Sequence, residues 1–158
     1  MRKSEHAYRC RRIELGIMKI TTNNCEFIEL QKIVDQRDGV LNIAESSKQI
    51  PFEIKRVYFI TDLKYESASR GHHAHKKLEQ VIFCVNGSFK LIVNDGSAEQ
   101  EIFLNTAEKG VFLGHNLWHT MSDFSSDCII LVIASDEFDE NDYIRDFKKF
   151  KHYLKEVN

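Results

Sequence analysis

Two histidines one residue apart, His73 and His75, have the clearest chemical potential in this chain. Residues two apart in a strand share a face, so both imidazoles project the same way. Continuing the alternation adds Glu79, Val81 and Phe83 to that face. The spacing therefore predicts two imidazoles and a carboxylate on the inner wall of a barrel. That set suits two kinds of chemistry. Imidazole titrates near neutrality and can give and take protons. Imidazoles and a carboxylate are equally the side-chain types that hold a divalent metal. A single histidine on an apolar face is usually a core residue, whereas two with a carboxylate in phase indicate a ligand site.

The flanking sequence supplies short strands to hold these groups. Cys25–Leu30, Gly39–Ala44, Ile54–Thr61, Leu78–Val85, Ser88–Val93, Glu99–Leu104, Val111–Leu113, Leu117–Met121 and Cys128–Ala134 are rich in β-branched and aromatic residues. Asn86-Gly87 and Asn94-Asp95-Gly96 carry turn chemistry, so the fourth to sixth of these segments read as a three-stranded meander. Short strands at close spacing predict a sandwich or barrel. From Asp142 to Leu154, Ile144, Phe147, Phe150 and Leu154 recur at helical spacing, with acids early and lysines late. The fold class is all-β, with one C-terminal amphipathic α-helix packed on the barrel.

The chain has 158 residues and a net charge of −2, which favours one domain and no nucleic-acid surface. Residues 1–17 are basic through Arg2, Lys3, Arg9, Arg11 and Arg12, but Glu5 and Glu14 interrupt them and Met18 follows. They read as a disordered leader or an upstream-start extension, leaving 18–158 as the single domain. No secretory h-region or membrane span is evident, so a cytoplasmic protein without membrane contact is expected. The four cysteines form no Cys-x-x-Cys pair, and Cys84 and Cys128 lie in apolar runs as buried free thiols. His6, His115 and His152 read as surface residues.

His73-x-His75-x3-Glu79-x7-Gly87 resembles the first cupin motif, and Gly110–His119 resembles the second, with Gly114 where proline is usual. A cupin-type β-barrel, or jelly roll, is thereby implied. A narrower resemblance lies in Pro51–Tyr58, Arg70-Gly71-x-His73-Ala74-His75-Lys76, Leu78-Glu79-Gln80 and Glu140–Phe147. These segments resemble the sugar-nucleotide 3,4-ketoisomerases that act on dTDP-4-keto-6-deoxyglucose, over about residues 24–150. The resemblance implies a cofactor-free, metal-free reaction through an enediol, with His73 and His75 sharing the base and acid roles. It implies a dTDP-sugar substrate in deoxyamino-sugar biosynthesis, and a homodimer with strands exchanged between subunits. Segments before Ile54 are the candidate donors. Arg56, Arg70 and Lys76 are candidates for the diphosphate. Tyr58, Glu79, Trp118 and His119 are candidates to line the sugar site. The competing readings are a metal-dependent, dioxygenase-like cupin using His73, His75, Glu79 and His119, and a non-catalytic sugar-nucleotide-binding cupin.

Overall fold

The computed structural model describes residues 18–157, so the expected leader lies outside the described residues. Twelve strands precede or flank a single helix: β1 (Cys25–Glu29), β2 (Gln31–Asp35), β3 (Gly39–Ile43), β4 (Arg56–Ile60), β5 (Arg70–His75), β6 (Gln80–Asn86), β7 (Phe89–Asn94), β8 (Glu99–Leu104), β9 (Lys109–Leu113), β10 (Trp118–Ser122), β11 (Ile129–Ala134), β12 (Tyr143–Ile144) and α1 (Phe147–Val157). One five-stranded sheet has the order β1-β9-β6-β11-β4, and a second has β12-β5-β10-β7-β8. They pack face to face as a jelly roll. Alternation explains the packing: Ile82, Cys84, Val111, Ile130 and Val132 from one sheet meet Phe89, Leu91, Val93, Ile102, Leu104 and Met121 from the other.

Two expectations change here. The three-stranded meander does not form, because β6 and β7 lie in different sheets. Asn86-Gly87 turns the chain from one layer to the other, and of these three strands β7 and β8 alone pair as a hairpin. Gly87 has φ +70° and a Cβ there would meet Ser125 Oγ at 2.2 Å, so the corner requires glycine. The helix also starts later than its periodicity suggests. Glu140–Asp142 form one 3-10 turn, and Tyr143 and Ile144 then pair with His75 and Ala74 on the edge of β5. Phe150 and Leu154 still bury as the spacing demands, in a cluster with Ala74 and Ile144.

The face of β6 also differs from expectation. Val81 and Phe83 pack outside the barrel against Leu30, Ile50, Phe52 and Ile133, while Ile82 and Cys84 face the interior. Strand β5 ends at His75, and the turn that follows shifts the phase before β6 begins. Strands β2 and β3 pair only with one another, as a two-stranded ribbon. Among the described residues, no helix is long and apolar enough to cross a membrane. Cys84 and Cys128 are buried free thiols, and burial pushes the Cys84 thiol up to about 12.

Candidate active site

The site is assembled where β5 and β10 pair. His73 and His119 are directly opposed in register, with ring centroids 4.5 Å apart. His75 lies edge-on to His73 at 4.9 Å. His75 and His119 are buried and His73 is half-buried. The pairing of the two strands carries an irregularity between His119 and Thr120, where His72 has no partner. Gly71 and His72 both take positive φ, +83° and +55°. This bulge has a functional consequence. Simple alternation would put Arg70 on the face opposite His73 and His75. The extra residue instead sets Arg70 across from Met121, an interior position. Arg70 thereby comes into electrostatic range of the Tyr58 hydroxyl.

Each histidine of the pair has one ring nitrogen engaged. His73 Nδ1 lies 2.9 Å from the Gly71 carbonyl oxygen. His75 Nδ1 lies 3.0 Å from Asp142 Oδ2. Both acceptors favour a proton on Nδ1 and leave Nε2 as the basic nitrogen. Burial disfavours the charged forms of all three imidazoles. It pushes His73 down to about 4, lowers His75 against the opposing effect of the Asp142 carboxylate, and holds His119 well below the ordinary histidine range. Tyr143 closes one side, its ring 4.3 Å from His75 and 4.9 Å from His73. The Arg145 guanidinium covers that ring at 4.2 Å and forms a two-point ion pair with Glu140 at 2.7 and 2.9 Å.

On the facing sheet, Arg56 and Tyr58 share a face of β4, as their spacing predicts. The Arg56 guanidinium sits over the Tyr58 ring at 5.5 Å and over Phe138 at 5.9 Å. Its Nε is buried without a hydrogen-bond partner. The Tyr58 hydroxyl donates to Gln80 Oε1 at 3.4 Å, and Gln80 Nε2 lies 3.5 Å from His119 Nε2.

Three predicted site residues lie elsewhere. Glu79 does not join the histidines: its backbone pairs with Ser135, and Gln80 takes the inward position. The reason is the phase shift between β5 and β6. Trp118 is not in the cavity. It neighbours the inward His119 on β10, so it faces out and packs under α1 against Phe147 and Phe150, 5.2 and 5.7 Å away. Lys76 is exposed on the surface, where its Nζ donates to the Asn141 carbonyl at 2.8 Å. Conversely, Gln80, Asp142 and Tyr143 are in the site and were not singled out from sequence. Gln80 follows Glu79 directly, so a one-residue error in phase hid it. Asp142 and Tyr143 fall at the start of the segment whose periodicity predicts the helix, and the available signal for them is the Glu140–Phe147 run that carries the family resemblance. Among the described residues, no group of three or more His, Cys, Asp or Glu side chains is arranged to hold a metal ion.

A jelly roll whose inner wall carries three buried or half-buried imidazoles beside arginine and tyrosine has the architecture of a cupin-type enzyme. The sequence profile of the FdtA family (WxcM-like, C-terminal) matches residues 23–155, and the chain belongs to this family. It is 51% identical over 131 residues to a TDP-4-oxo-6-deoxy-alpha-D-glucose-3,4-oxoisomerase of Aneurinibacillus thermoaerophilus, covering 83% of this chain and 93% of that relative. A 3,4-ketoisomerase from Helicobacter canadensis superposes with a TM-score of 0.80 at 42% identity, covering 84% of this chain and 98% of the other. QdtA, a sugar 3,4-ketoisomerase from Thermoanaerobacterium thermosaccharolyticum solved in complex with TDP, gives 0.81 at 39% identity, covering 85% and 97%.

Proposed function

We propose that this chain is a 3,4-ketoisomerase that converts dTDP-4-keto-6-deoxyglucose into a dTDP-3-keto-6-deoxyhexose. The observation that carries the reading is the half-buried His73 beside the buried His75, each with Nδ1 engaged. The reaction relocates two protons, one from C3 to C4 and one from O3 to O4, with no change in net oxidation state. The C4 ketone acidifies the C3 proton, and an imidazole Nε2 removes it. The enolate so formed takes up a proton at O4 to become the enediol. C4 then takes a proton from an imidazolium or another acid while the C3 hydroxyl gives up its proton, which balances the one gained at O4, leaving a 3-ketone and a 4-hydroxyl. Burial keeps both imidazoles neutral and ready to accept a proton at pH 7. The dry wall protects the enediol from side reactions. Arg56, with an unpaired buried Nε, and Arg70 are the candidates for the diphosphate. The 3-ketone so formed is the group that an aminotransferase requires, so on this reading the reaction lies upstream of an aminotransferase in deoxyamino-sugar synthesis for glycans. Buried free thiols suit the reducing cytoplasm.

The dimer with exchanged strands belongs to the same proposal. Its support is the ribbon of β2 and β3, whose Ile33, Val34, Val40 and Leu41 are exposed. The outer edge of β4 is unpaired among the described residues, and Val57 and Phe59 are exposed beside it. A second copy of the chain covers both.

The test is incubation with dTDP-4-keto-6-deoxyglucose in deuterated water, followed by NMR, with and without a chelator. A 3-keto product carrying deuterium at C4, formed equally in both arms, is expected. Binding without exchange would leave the sugar-binding reading, and loss of turnover on chelation would leave the metal-dependent one. Coupling constants give the face of protonation.

A further inference from the structure

Among the described residues, Asp142 is the one carboxylate bonded to a histidine of the pair, and it arrives from 67 residues away in sequence. Its side chain is held at three points. Oδ1 accepts from the backbone amide of Lys77 at 2.8 Å. Oδ2 accepts from the amide of Leu78 at 3.2 Å and faces His75 Nδ1 at 3.0 Å. Its own carbonyl accepts from the Lys76 amide at 3.0 Å, and the next residue, Tyr143, pairs with His75. The short strand β12 thus docks the carboxylate against the end of β5. Asp142 is half-buried, and the His75 side chain is only 4% exposed, so the bond is shielded from water. His73 has no such partner among the described residues; its Nδ1 meets the Gly71 backbone carbonyl.

We propose that Asp142 is a positioning residue for proton transfer, fixing the His75 ring with its proton on Nδ1 and its basic Nε2 free. The proposal rests on the acid/base reading of the histidine pair. A carboxylate can only accept, so it admits a single tautomer of His75. It also steadies the imidazolium that forms when Nε2 takes a proton. His73, lacking a carboxylate, does not gain this. The paired histidines therefore differ in kind, a division their spacing in sequence does not reveal. Ser-His-Asp hydrolases use the same logic, where exchanging the aspartate for asparagine keeps the geometry and reverses the tautomer.

Asp142→Asn is the informative variant. The single amide oxygen can keep only one of the two backbone donors; holding the shorter bond, from the Lys77 amide, it gives up the longer one from Leu78 and turns the new NH2 group towards His75 Nδ1. The ring must then accept there and carry its proton on Nε2. Nitrogen-15 NMR of the imidazoles, recorded without substrate, should show Nδ1 protonated in the unmodified enzyme and Nε2 protonated in the variant. Turnover should show kcat lowered by about 10²–10⁴-fold with KM within about threefold. Three results would overturn the proposal: an Nε2 proton on His75 in the unmodified enzyme, kcat within about threefold in the variant, or a rate loss with an unchanged His75 signal. Failure of the unmodified enzyme to isomerise the keto sugar would instead count against the proposed function, and the NMR arm would still decide the tautomer.

Discussion

Replacing Gly71 with alanine should damage both the fold and the rate. Gly71 has φ +83°, and a Cβ there would lie 2.8 Å from the His119 carbonyl oxygen, 3.3 Å from His119 Cδ2 and 3.3 Å from Thr120 Cα. The left-handed conformation costs an L-residue about 1–2 kcal/mol. Relieving contact with a backbone carbonyl in a packed strand pair adds about 1–3 kcal/mol. The expected loss is about 2–5 kcal/mol, or a fall in Tm of roughly 4–20 °C for a chain of this size. The rate should suffer separately. The carbonyl of Gly71 holds His73 Nδ1, and the contact falls on His119, directly opposite His73. A shift of a few tenths of an ångström at a proton-transfer group should lower kcat by about tenfold, since a misplacement of 1 Å costs about 10²-fold. Thermal denaturation and steady-state turnover by coupled assay measure the two effects. A Gly71→Ala protein with unchanged Tm and kcat would refute the bulge at His72 as the device that sets His73 against His119.

Stability should depend on pH through the buried imidazoles. In the unfolded chain histidine protonates near pH 6.5, whereas His73 in the fold protonates near 4. The unfolded chain binds more protons between these values, so stability is lost as pH falls through this window. One such group contributes about 2 kcal/mol of loss at pH 5 relative to pH 7.5. Urea midpoints at the two pH values should differ accordingly, and less so in His73→Asn; equal midpoints in the parent protein would show that His73 is not buried neutral. For the dimer, Phe59→Asp places a charge on an exposed apolar edge of β4. Sedimentation equilibrium should give twice the chain mass for the parent and a shift towards monomer for the variant, and a monomeric parent would remove the exchanged-strand dimer.

The sequence by itself determined the all-β class, the barrel, the helix at its end and the shared face of His73 and His75. It did so because these depend on local periodicity: alternation in strands, 3.6-residue spacing in Phe150 and Leu154, and residues two apart on β5. The same rule correctly placed Arg56 and Tyr58 on one face of β4. It misled wherever periodicity crossed a break. The turn after His75 exchanged Glu79 for Gln80 at the inner wall. The bulge at His72 set Arg70, still exposed, opposite the interior residue Met121. Asn86-Gly87 moved the chain to the other sheet rather than continuing a meander. The tertiary structure alone decided which histidine has a carboxylate. Asp142 reaches His75 through a two-residue strand too short to leave a periodic trace, and its bonds to Lys77 and Leu78 depend on where β5 happens to end. His73 and His75 share one face because of local geometry, but their different protonation environments come from partners that only the folded chain brings together.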